Sequence, residues 1–120
     1  MSMPKIENSF ELLITMMHID ELKKMIKNEF HITLEEFSVL TYLNEKKASE
    51  YYLKDLINNL SYNQPRIVNA VKTLSSDGYF DKCRSTHDER MILILINDFQ
   101  REKITNLLNE INVKIKSLKK

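Results

Sequence analysis

The chain has one glycine, one cysteine, two prolines and no tryptophan in 120 residues. Each scarcity closes off a class of chemistry. Phosphate-cradling loops, the dinucleotide fingerprint and the P-loop alike, need several glycines close together. A chain whose only glycine is Gly78 cannot build one. A lone Cys83 makes no internal disulfide, which suits a reducing compartment. His18, His31 and His87 are far apart, and none stands at zinc-ligand spacing with Cys83. No metal or cofactor is implied. No nucleophile–base pairing is visible, so no feature argues for an enzyme.

Two further absences bear on location and partners. No apolar run approaches the length that spans a bilayer. The N-terminus lacks the apolar core and small-residue cleavage site of an export signal. The expected compartment is the cytoplasm, with no membrane attachment. Eighteen Lys and Arg against 17 Asp and Glu give a net charge of +1. Whole-chain charge therefore makes no case for nucleic acid, and only local placement can.

What is present reads as one domain, 42% hydrophobic and 29% charged. Residues 5–29 have a helical pattern. Ile6, Phe10, Leu13 and Met17 fall on one face, and Leu12, Met16, Ile19, Leu22 and Ile26 form a second apolar stripe. Two stripes need two surfaces. Either the domain wraps the helix, or one stripe meets the domain and the other a second subunit. In the latter case, residues 1–30 form a dimerisation helix.

Thr33 and Glu36 have capping-box spacing, with Ile32 and Phe37 as the hydrophobic staple. Tyr51–Leu53 reads as a short strand, and Leu53, Leu56, Ile57 and Leu60 as a short amphipathic helix. Pro65 fits only a first helical turn, which makes Asn63 the N-cap. Ile67, Val68, Val71 and Leu74 form the expected buried face, and Gly78 the left-handed stop. Residues 53–77 are thus a helix-turn-helix.

Tyr79–Lys82 and Met91–Ile96 read as two strands of a wing over 79–96. The second does not alternate, which suggests burial on both faces. A last helix over 98–120 carries Ile104, Leu107, Leu108, Ile111, Ile115 and Leu118 on one face. The expected fold is mainly α with a small antiparallel β-hairpin, a winged helix-turn-helix that forms a homodimer.

The outer face of the 63–76 helix carries Gln64, Arg66, Asn69 and Thr73, types suited to reading base edges in the major groove. Lys54 and Lys72 flank them as phosphate clamps. Arg84 and Arg90 flank the hairpin tip, where an arginine can enter the narrow minor groove of A·T-rich DNA. Asp88 repels phosphate but can aim an arginine. The competing reading is an ordinary solvated helix face and a solvated turn.

The run YYLKDLINNLSYNQPRIVNAVKTLSSDGYFDKCRSTHDERMILILIN resembles the SarA family of staphylococcal accessory regulators, a branch of the MarR-like winged-helix proteins. The resemblance extends to FELL at Phe10–Leu13 and EEFSVLTYL at Glu35–Leu43, and so covers nearly the whole chain. KDLINNL, QPRIVNAVK and HDER are specific in combination. The resemblance implies a dimeric regulator of A·T-rich promoters in virulence, biofilm or adhesion genes. It implies wing roles for Arg84, Asp88, Glu89 and Arg90, and dimer contacts from the first helix.

The family's best-known member has a cysteine in that helix, implicated in redox sensing. Here Ser9 stands there, which leaves Cys83 as the candidate redox residue. The alternative is a partly buried strand residue. Two other functions stay open: a protein-interaction adaptor of the same fold, and a MarR-like regulator gated by a small ligand.

Overall fold

Side chains that bond back to their own backbone set most of the helix boundaries. The computed structural model describes residues 6–87 and 91–117. Helix α1 (Ser9–Met25) begins at Asn8, whose side chain accepts the Glu11 N–H. It runs into one wider, π-helical turn, Ile26–Phe30, and stops at His31 with φ 60°. Thr33 and Glu36 complete the capping box of α2 (Leu34–Lys46), with bonds of 2.9 and 3.2 Å. Asn97 and Gln100 exchange the same kind of bonds at the start of α5 (Asp98–Ser117).

Between them lie β1 (Glu50–Tyr52), α3 (Leu53–Asn59), α4 (Gln64–Ser76), β2 (Asp81–Arg84) and β3 (Ile92–Leu95). The sheet is antiparallel, in the order β1-β3-β2. Tyr51 and Lys82 both pair with Ile94. The expected hairpin thus gains a third strand, with β3 at its centre. That position accounts for the unbroken apolar run. Burial on both faces is only partial, because Ile94 is enclosed while Ile92, Leu93 and Leu95 are half-buried.

The first wing strand begins two residues later than expected. Gly78 (φ +86°) donates to the Ser75 carbonyl and Tyr79 to the Leu74 carbonyl. These two bonds form a Schellman motif, which takes up Tyr79 as the closing residue of α4.

The core is built from α2, α3, α4, α5 and the sheet, with Leu40, Leu56, Ile67, Phe80, Ile94 and Ile104 fully enclosed. Helix α5 also ties two other helix ends. Arg101 donates from Nη1 to the Leu43 carbonyl at 2.9 Å. Its Nη2 donates to the Ala48 carbonyl at 2.6 Å and to the Tyr51 hydroxyl at 2.7 Å. Tyr51 in turn donates to Leu43 and accepts from the Ala48 N–H. A cation thus satisfies the C-terminal end of α2, where the helix dipole favours positive charge. Lys103 does the same for α4, donating to the Asp77 carbonyl at 2.7 Å.

Helix α1 is different. None of its residues is buried. Phe10 is 69% exposed and Met16 and Met17 58% each. The first stripe packs on nothing in the domain, and the second meets the domain only at its C-terminal end, where Leu22 is half-buried and Ile26 enclosed. Burial begins only at Ile26, in the π-helical turn. The radius of gyration, 15.7 Å, exceeds the about 13.6 Å typical of a compact chain of this length, consistent with a helix that stands off the body.

Candidate nucleic-acid interface

Helix α4 owes its position to three local features. The Asn63 side chain accepts the Arg66 N–H, Pro65 occupies the first turn, and Gly78 closes the far end. The inner face is Ile67, Ala70, Val71 and Leu74, all buried. The opposite side exposes Gln64, Arg66, Asn69, Lys72 and Thr73. All five α4 residues proposed from sequence are exposed, but on two flanks: Arg66, Asn69 and Thr73 border α2, whereas Gln64 borders the wing; Lys54 is exposed on the neighbouring α3.

Val68 is a correction. It is 38% exposed, and Ala70 takes its place in the core. Val68 sits at the edge of the apolar arc and faces the wing. With Tyr52, Lys54, Gln64, Met91 and Ile92 it lines a recess of about 480 Å³ between helix and sheet.

Arg66 is held from two sides. Its Nη2 donates to Glu35 Oε1 at 2.8 Å, and its guanidinium lies 4.6 Å from the centre of the Tyr62 ring. Neither contact was evident from sequence, because Glu35 lies 31 residues away and reads as a first-turn acid of α2.

In the wing, all four β2 residues are exposed, Arg84 among them. Cys83 is also exposed, which overturns its reading as a partly buried residue. Ser85 is buried and closes the base of the wing. Its N–H donates to the Met91 carbonyl at 2.8 Å, and its Oγ accepts the His87 N–H at 3.1 Å. Asp88, Glu89 and Arg90 lie outside the described residues, so the roles expected of them have no geometry here. Among the described residues, no group of His, Cys, Asp or Glu could hold a metal ion. None of the described helices is long and apolar enough to cross a membrane.

Behind α4, burial, followed by the carboxylates of Asp77 and Glu36, raises the Tyr79 phenol above its ordinary pKa. Lys103 covers that ring at 4.3 Å.

The family of transcriptional regulators described as SarA/Rot matches residues 21–107. The chain belongs to that family. The transcriptional regulator SarA of Staphylococcus aureus (strain Newman) is 55% identical over 115 residues, 96% of this chain and 93% of that protein. This SarA/Rot chain also shares its fold with more distant solved structures. MarR superposes with a TM-score of 0.77 at 12% identity, over 92% of this chain and 80% of MarR. Reduced AbfR bound to DNA superposes with a TM-score of 0.70 at 18% identity, over 87% and 75%. The SarA/Rot chain has the winged-helix fold, mostly helical with a small three-stranded antiparallel sheet.

Proposed function

We propose that this SarA/Rot regulator acts as a homodimer on A·T-rich promoter DNA in the cytoplasm, with target genes in virulence, biofilm or adhesion. The observation that carries the reading is the outer face of α4. Gln64, Arg66, Asn69 and Thr73 are solvent-facing on a helix fixed at both ends, with Lys54 and Lys72 at its flanks. These side chains suit the major groove, arginine for guanine and asparagine or glutamine for adenine. The wing, through Arg84 and Arg90, suits the minor groove, where A·T-rich sequence concentrates negative potential. The wing roles that the family resemblance implies for Asp88 and Glu89 are part of the same proposal. A fold neighbour, AbfR, has been solved on DNA.

The dimer reading rests on α1. Ile6, Phe10, Leu13 and Met17 are all at least 37% exposed, as are Leu12, Met16 and Ile19. Burying a large apolar side chain is worth about 1.5–3 kcal/mol, so a partner that covers this helix gains substantially. A second copy offers a matching apolar surface. The role of Cys83 as a redox residue rests on its exposure beside Lys82 and Arg84. Its test is whether peroxide weakens DNA binding in the wild type and not in Cys83→Ser.

A mobility shift with A·T-rich and G·C-rich duplexes tests the function. The expected result is a shift with both and tighter binding to the A·T-rich one. A protein-interaction adaptor of the same fold shifts neither.

A further inference from the structure

The contact between Glu35 and Arg66 joins two helices whose side chains would otherwise be independent, and it lies at the end of α4 that the DNA-binding reading sends into the groove. Arg66 occupies the first turn of α4. Both elements that hold it trace back to the first turns of α2. Glu35 is directly on α2, with its side chain only 22% exposed. Tyr62 bonds to Ser38 of α2 at 3.0 Å. Ser38 Oγ spends its proton on the Leu34 carbonyl at 2.8 Å, so Tyr62 is the donor in that bond. The α2 turn is itself locked by the Thr33–Glu36 capping box. A long, flexible arginine is thus confined between an aromatic ring and a carboxylate, both anchored to one rigid helix start. Of its five N–H donors, the tie to Glu35 uses one on Nη2, which leaves others for an outside acceptor.

We propose that Glu35 is a specificity-determining positioning residue, which with Tyr62 fixes the Arg66 guanidinium in the orientation that reads a base edge. The proposal rests on the DNA-binding reading above. The base best matched by such an arginine is guanine, through O6 and N7, so one guanine is expected in each half-site of an otherwise A·T-rich site. A free arginine at this place would reach phosphates as readily as a base and would strengthen binding to any sequence. Glu35 therefore trades general affinity for selectivity.

The experiment selects a preferred duplex from a random pool with wild-type protein. Affinities are then measured for that duplex and all its single-base variants, with a thermal melt for each protein. Arg66→Ala is expected to flatten discrimination at one base position of each half-site by roughly tenfold or more. Glu35→Ala is expected to flatten the same position and to tighten binding to the disfavoured bases. Glu35→Gln, which keeps an acceptor oxygen, retains most of the discrimination. In the Arg66→Ala background, Glu35→Ala adds nothing at that position.

The proposal is overturned if Glu35→Ala scales all duplexes equally, or if Gln and Ala behave alike, since either result means charge alone. It is also overturned if Glu35→Ala acts equally with and without Arg66. If Arg66→Ala flattens no position, the inference fails while DNA binding stands. If wild-type protein enriches no duplex, the DNA reading fails and the inference with it.

Discussion

Helices α1 and α4 look alike in sequence and are opposite in the structure. Both carry apolar residues at helical spacing. In α4 the apolar arc is single, and it packs into the core at Ile67, Val71 and Leu74. In α1 the apolar residues form two stripes, and the domain covers only the C-terminal end of one, at Leu22 and the following Ile26. Periodicity reveals that a helix has a surface to bury. It does not reveal against what, because the partner's identity is not written in the helix. The width of the apolar surface does carry a hint. One stripe can be satisfied by one neighbour, whereas two stripes on a small domain exceed what its few other elements supply.

The largest expected effect separates the two helices outright. Phe10→Asp or Met17→Asp would place an unpaired charge in the proposed interface and should weaken dimerisation by about 3 kcal/mol or more, roughly a hundredfold. Because no α1 residue is buried in its own domain, the product should be a folded monomer. Sedimentation with a parallel melt checks this. A monomeric wild type at micromolar concentration removes the dimer. Unfolding of these variants without a folded monomer would mean that α1 supports its own domain after all.

Next in size is Arg101→Ala, which touches neither α1 nor the α4 surface and removes the tie between α5 and the end of α2. Loss of charge-assisted bonds to the Leu43 and Ala48 carbonyls should cost about 2–3 kcal/mol. Urea unfolding should show it as a lower midpoint, with base preference unchanged.

Arg66→Ala should cost about 1–3 kcal/mol of sequence discrimination and little thermal stability. Base-substituted duplexes and melting temperatures, measured on the same protein, check both halves. The smallest effect sharpens the boundary of the α4 core. Val68→Ala should change stability by under about 0.5–1 kcal/mol, while Val71→Ala, fully enclosed, should cost about 2 kcal/mol. Equal costs would place Val68 in the core, as the spacing suggested.

Local chemistry was legible and distant chemistry was not. Asn63 with Pro65, Thr33 with Glu36, and Gly78 after Asp77 each act within a few residues, so their spacing alone announced the ends of α4 and α2. The five polar residues of α4 followed from those ends. The Arg101 tie spans 58 residues and the Arg66–Glu35 tie 31. Each partner looked like an ordinary surface charge. Val68 failed because it lies at the margin of an arc, where one neighbouring element decides exposure. Tyr79 failed as a strand residue because the Schellman stop consumed it. The π-helical turn at Ile26–Phe30 has no signature in the apolar spacing. Cys83 failed because β2 is an edge strand with little above or below it.

The most direct test joins the two regions in one titration. DNA affinity of the wild type and of a folded Phe10→Asp monomer is measured against salt on one A·T-rich duplex. A dimer presenting Lys54, Arg66, Lys72, Arg84 and Arg90 twice neutralises about six to ten phosphates, giving a slope of log affinity on log salt of roughly −5 to −9. The monomer presents each group once, so its slope should fall to about half. Equal slopes for the two proteins, or a wild-type slope near zero, would contradict the account of α1 as the joint and α4 as the reader.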